Sequence, residues 1–203
     1  FSSTTFTATT DGTIFNPSGN GDVFYAKFDA ATGSKTFLTL YGANSSDAVS
    51  DMQVSNGEAY IIGATTPIIS GIFPTTDGST KKGNFASSDL FAMKYNAAGT
   101  VAYATIIGGA SDEGFGSGTI RSFVKNGELF FAGRTSSSAY PTTNGGYHTG
   151  STSGGNAWDI AVTKLSTTGA IVFSTQIGDT NGDNVLSINL GCNDELYVLG
   201  NIS

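Results

Sequence analysis

One pattern of about seventy residues is written nearly three times along the 203-residue chain, and it limits the folds available more than any other feature. The segments DVFYAKF from Asp22, DLFAMKY from Asp89 and DIAVTKL from Asp159 align without gaps. Their leading aspartates lie 67 and 70 residues apart, and Lys27, Lys94 and Lys164 keep the same two steps. A second signature follows in phase: NGEAYIIG from Asn56, NGELFFAG from Asn126 and NDELYVLG from Asn193. A third, FPTTDG at Phe73 and YPTTNG at Tyr140, has a degenerate ATTDG copy at Ala8. A repeat of this length reports architecture strongly and ligand or reaction weakly.

Each unit offers four strand-sized runs. A short first strand (near Val49–Ser55, Thr119–Lys125 and Val185–Leu190) meets a tight turn at Asn56-Gly57, Asn126-Gly127 or Asn193-Asp194. Asn-Gly suits a two-residue hairpin because both central residues need positive φ. The second strand starts at Glu58, Glu128 or Glu195. A long Ser/Thr/Gly-rich connection leads to the third strand, and a turn bearing Gly33, Gly99 or Gly169 leads to the fourth. Several runs, EAYIIGAT and ELFFAGRT among them, are apolar on both sides, as in sheets covered on both faces. Four antiparallel strands per seventy residues is the period of a propeller blade.

These residues resemble the SBBP-type β-propeller repeat. The pattern is D-x-F-x-x-K, a turn glycine, an aromatic–x–T run into Gly-Gly, an acidic loop, N-G-E-x-Y-x-x-G-x-T and F-P-T-T. The resemblance spans essentially the whole chain and departs from the pattern at Gly178-Asp179 and at Ala8. It implies an all-β fold, a β-propeller of four-stranded antiparallel blades, in a large secreted or surface-exposed bacterial protein. About three blades are covered: the outer strands of one blade in 1–45, a blade in 46–110, another in 111–180, and the start of the next in 181–203. Closed rings use 4–8 blades, so the expected partner is the remainder of a larger ring. Both chain ends read as internal to a longer polypeptide.

Composition narrows the partners. A net charge of −7 with only nine Lys and Arg residues disfavours nucleic acid, which needs a basic face. No apolar run reaches the ~20 residues of a membrane-spanning helix, and membrane insertion is not expected. Cys192 is the single cysteine and reads as a small buried residue.

The loops entering the first strands, GANSSDA, GGASDEG and GDTNGDN, bring Asp47, Asp112, Glu113 and Asp183 to one rim beside the long connections. Three readings of these carboxylates stand open: caps on turns, a Ca²⁺ site of carboxylate and carbonyl oxygens, or an acid/base pair for glycoside cleavage or lyase chemistry. GDTNGDN lacks the spaced acids and closing Glu of an EF-hand loop. Phe73 and Tyr140 read either as plugs in a seam between blades or as a sugar-stacking platform, and Trp158 as a residue buried between blades. His148, the only histidine, has no zinc-ligand set, and no G-x-S-x-G elbow is present. The functional expectation is a non-catalytic extracellular module that binds protein or glycan at the rim or serves as scaffold. It needs no cofactor, with Ca²⁺ as the one candidate. The alternatives are a polysaccharide-cleaving propeller enzyme and a packing subunit of a surface appendage or secretion assembly.

Overall fold

A computed structural model describes residues 21–42, 46–66, 75–76, 81–82, 87–114, 120–143, 147 and 157–203. The fold is all-β: thirteen strands and no helix among these residues. Strands β1 (Val23–Phe28) and β2 (Lys35–Tyr41) form a two-stranded antiparallel sheet. Strands β3 (Ser46–Ser55), β4 (Glu58–Thr66), β5 (Lys81–Lys82), β6 (Asp89–Tyr95) and β7 (Val101–Ile107) form the second sheet, in the order β3-β4-β6-β7-β5. Strands β8 (Arg121–Lys125), β9 (Glu128–Thr135), β10 (Asp159–Leu165) and β11 (Ile171–Ile177) form a four-stranded antiparallel sheet in chain order. Strands β12 (Asn184–Leu190) and β13 (Leu196–Asn201) make a last two-stranded sheet.

The first strands expected from sequence match β3, β8 and β12 to within a few residues. Asn56 and Asn126 have φ of 52° and 54°, each followed by a glycine at 79°, the left-handed pair that Asn-Gly supplies in a two-residue hairpin. The turns after β1, β6 and β10 are also built alike. Asp29 accepts from the N–H groups of Ala31 and Thr32, Asn96 from those of Ala98 and Thr100, and Ser166 from those of Thr168 and Ala170. Each turn then closes through a positive-φ glycine, Gly33, Gly99 or Gly169.

Three expectations need correction. The third hairpin is not a tight Asn193-Asp194 turn: Leu190 pairs Leu196, and Gly191 to Glu195 form a wider loop closed by the Gly191 N–H on the Glu195 carbonyl at 2.8 Å. Without glycine at position 194, the two-residue left-handed turn is strained, and only Asp194 takes positive φ. Cys192 sits in that loop and is exposed, not buried. The long connection after β4 also contributes a strand, β5, which runs parallel to β7. Phe73, Pro74 and His148 lie outside the described residues.

The four sheets pack face on face in chain order, with an apolar layer at each seam. Val23, Tyr25, Phe37 and Tyr41 of the first sheet meet Ile61, Phe91, Met93 and Tyr95 of the second. The opposite side of the second sheet, Tyr60, Ile62, Leu90 and Tyr103, meets Leu129, Phe131, Ala161 and Leu165 of the third. Phe130, Ala132, Ile160 and Val162 then meet Val185 and Ile188 of the fourth. The broken alternation in β4 and β9 follows from this: successive side chains face opposite neighbours, and both neighbours are dry. Between sheets, β3 packs against β8, and β12 packs against both β8 and β9. Asp51 on β3 accepts from the Ser122 N–H at 2.9 Å and its hydroxyl at 2.8 Å on β8, and Arg121 donates to the Leu186 carbonyl at 3.1 Å on β12.

Candidate functional site

The acidic rim is built from one junction repeated three times. The N–H of Asp47 donates to the Gly21 carbonyl at 2.9 Å, that of Glu113 to Ser88 at 2.7 Å, and that of Asp183 to Trp158 at 2.6 Å. Each accepting carbonyl belongs to the residue just before Asp22, Asp89 or Asp159. The bond therefore ties the acidic loop to the head of the preceding third strand. The two acids of each junction converge on a glycine at the end of the fourth strand. A Cβ on Gly42, Gly108 or Gly178 would run into both carboxylates, 2.8 Å from Asp47, 2.6 Å from Glu113 and 2.5 Å from Asp183, with the partner aspartate nearer still. Glycine at this point is a space requirement that the paired acids impose.

Asp47, Glu113 and Asp183 are thus buried at the base of their loops. Glu113 is fully buried; it accepts from the Gly109 N–H and the Thr135 hydroxyl, each at 2.8 Å. Asp183 accepts from the Asp179 N–H at 3.1 Å and the Ser203 N–H at 3.3 Å. Asp112 is half-buried and caps the turn ahead of β6. It accepts from the Ser87 hydroxyl and, at 3.0 Å, from the Ser88 N–H. The Ser87 hydroxyl is the main cause that holds the Asp112 carboxyl below its ordinary value. The four carboxylates predicted to share one rim therefore sit at three separate junctions, with Asp112 and Glu113 together at the second. Among the described residues, no group of three or more His, Cys, Asp or Glu side chains is placed to hold a metal ion.

The junctions differ in charge. At the second, burial first and then the negative charge of Glu113 push the Asp89 carboxyl up to about 8, and burial raises Glu113 as well. The two carboxyls crowd the same glycine, and burying like charges this close favours the protonated form of one of them. Burial and Asp47 raise Asp22 in the same direction. At the third junction a cation is present: Arg134 lies 4.7 Å over the Trp158 ring and feels the charge of Asp183. The matching position in β4 is Ala64, so the second junction has no such counter-charge from that strand. Asp22, Asp89 and Asp159 entered the sequence analysis only as landmarks of the repeat, and Arg134 not at all. Their signal was phase: an aspartate recurring in step with an acidic loop, and a lone arginine where the other copies have Ala and Asn.

The Tyr140 motif is structural. Tyr140 is buried in the seam between second and third sheets, its hydroxyl 2.9 Å from that of Thr163. Thr143 then clips the fourth strand: its N–H donates to the Ser174 carbonyl at 2.9 Å, and its hydroxyl oxygen accepts from the Ser174 N–H at 3.0 Å. Thr76 does the same to Ala104, at 3.2 and 3.1 Å. The second threonine of each P-T-T thus satisfies the outer edge of its sheet. Trp158 is half-buried beneath Arg134 instead of fully enclosed between sheets.

Searched against protein-family models and against curated proteins, the chain matches none.

Proposed function

We propose that the chain is an arc of an SBBP-type β-propeller, three blades long, that acts as a non-catalytic extracellular module in a large bacterial surface or secreted protein. The observation that carries this reading is the threefold junction of Asp22 with Asp47, Asp89 with Glu113 and Asp159 with Asp183. A residue set present in every repeat serves the repeat, whereas catalysis needs one acid and one base made different. Glu113 and Asp183 also accept N–H bonds from their own loops, from Gly109 and Asp179. The two carboxyls of a junction converge on one buried glycine, whereas glycosidases hold theirs about 5–10 Å apart around sugar and water. The blade reading is supported by the contacts of β3 with β8 and of β8 with β12, which bring the first strands of successive sheets together as strands lining a central channel would be.

Binding, on this reading, belongs to the loops between the junctions and the P-T-T connections, where protein or glycan would lie. Electron microscopy of the purified chain tests the architecture: sheets arranged radially about a channel support it, and a straight stack overturns it. Reducing-end release from a polysaccharide panel tests the chemistry. No turnover is expected. Turnover abolished by Glu113→Gln with the circular dichroism spectrum unchanged would assign the rim to catalysis. Ca²⁺ is expected to leave the melting temperature unchanged; a rise with Ca²⁺ that a chelator reverses would make the rim a metal site.

A further inference from the structure

We propose that the second junction is a latch that rising pH releases, freeing the loop from Gly108 to Gly114, and that Arg134 keeps the third junction shut under the same conditions. The loop is held by bonds that run through Glu113 or beside it. The Glu113 N–H donates to the Ser88 carbonyl at 2.7 Å, and the Gly114 N–H to the Arg134 carbonyl at 2.9 Å. The Glu113 carboxyl accepts from the Gly109 N–H inside the loop and from the Thr135 hydroxyl at the end of β9, each at 2.8 Å. The Ser111 N–H donates to the Ser137 hydroxyl oxygen at 2.8 Å. Glu113 thus pins the loop, the head of β6 and the end of β9 together.

The pin is built around a charge conflict. Asp89 is 1% exposed and Glu113 0%. Their carboxyls converge on Gly108, where a Cβ would lie 2.6 Å from Glu113 Oε2 and nearer still to Asp89 Oδ1. That Asp89 oxygen is buried without a hydrogen-bond partner. Neither acid forms a salt bridge among the described residues. The groups that face the pair supply no positive charge. From the same loop, Asp112 adds to the negative charge on Asp89, and the Ser87 hydroxyl holds its own carboxyl below the ordinary value. From the connection after β9, Tyr140 feels the charge of Glu113, and burial raises its hydroxyl. From β4, Thr65 stands opposite Asp89.

One proton removes the conflict. Burial and then the charge of Glu113 push the Asp89 carboxyl up to about 8, whereas in a loop released into water both acids ionise near pH 4. The released loop therefore binds fewer protons. The latch is complete below about pH 4 and weakens as pH rises to about 8.

The third junction has the same backbone bond and the same glycine but a different charge. The Asp183 N–H donates to the Trp158 carbonyl at 2.6 Å, and Gly178 stands against Asp159 and Asp183. There Arg134 lies 4.7 Å over the Trp158 ring and feels the charge of Asp183. Its guanidinium stays charged across this range and offsets an ionised pair. Both residues depart from the repeat, which has Ala64 and Ser88 at the matching positions. At the first junction Asp22 is only half-buried, so water partly solvates its charge. The second junction is therefore the one where ionisation has no outlet except release. The loop borders the rim to which binding was assigned above, but the latch does not rest on that reading.

Amide hydrogen exchange of the purified chain, corrected for the base catalysis of exchange itself, tests the latch without any ligand. Between pH 5 and pH 8 the Gly109, Glu113 and Gly114 amides should lose protection by about tenfold or more, with circular dichroism unchanged. The Asp179 and Asp183 amides should keep theirs. Asp89→Asn should remove most of the dependence on pH. Arg134→Met should confer that dependence on the Asp179 and Asp183 amides, and Arg134→Lys, which keeps the charge, should not. Equal loss at both loops would overturn the proposal, as would a wild-type loop whose protection does not change. So would an Asp89→Asn variant that keeps the wild-type dependence. Loss of the circular dichroism signal over the same range would mean global unfolding and would overturn it as well. A third junction indifferent to Arg134→Met would strike out the role of Arg134.

Discussion

The carboxyls of Asp89 and Glu113 converge on Gly108, at the point where the Glu113 N–H also holds the Ser88 carbonyl at 2.7 Å. Two acids 24 positions apart thus close the end of one sheet onto the start of the next. Burial and the charge of Glu113 hold the Asp89 carboxyl protonated well above the ordinary carboxylate range, which makes the seam sensitive to pH.

The first prediction follows from that proton. An unfolded aspartate ionises near pH 4, whereas folded Asp89 keeps its proton to about 8. Its contribution to stability is therefore complete below about pH 4 and is lost as pH rises through about 8. Thermal melts should show a lower melting temperature at pH 8 than at pH 5. Asp89→Asn, neutral throughout, should flatten that difference and raise the melting temperature at pH 8. A wild-type profile flat across this window, or an unchanged slope in the variant, would contradict a protonated Asp89 at the seam.

Glycine at the junction should be irreplaceable for a steric reason. Gly108→Ala places a methyl against both Asp89 and Glu113, and overpacking of this kind costs roughly 1–3 kcal/mol. Gly33→Ala, with positive φ but nothing within 4 Å, should cost about 1 kcal/mol from backbone strain alone. Urea unfolding of the two variants should rank them in that order.

Removal of the threonine clip should loosen one strand edge. Thr143→Val leaves the buried Ser174 N–H without its acceptor, a loss of about 1–3 kcal/mol. Amide exchange should accelerate at Ser174 more than at Ala104, which keeps its own clip from Thr76. Equal protection at both sites would show that the clip carries no stability.

Asp51 should couple neighbouring sheets. Asp51→Ala leaves the Ser122 N–H and hydroxyl unpaired, at about 1–3 kcal/mol, while Ser122→Ala alone should cost less. The two changes together should fall short of their sum in a double-mutant cycle, because they remove the same contact. Strict additivity would place the stabilisation elsewhere.

Much of this was legible in the sequence, because the repeat records local requirements. Asn-Gly at 56 and 126 fixes two hairpins through φ, and Asp29, Asn96 and Ser166 fix three turns through bonds a few residues long. Two-sided apolar strands announced sheets covered on both faces. The partners across a seam were not legible. Whether Glu113 faces solvent or Asp89, and whether Lys27 has a glutamate, depends on which strands pack together, not on neighbours in the chain. The failed turn at Asn193-Asp194 shows the limit within a hairpin: losing one glycine widened the loop and exposed Cys192. Sequence by itself determined the strands, their turns and the period, since backbone geometry is set by adjacent residues. Only the tertiary structure decided which carboxylates meet at a buried glycine, because burial and charge at a seam are properties of two segments brought together.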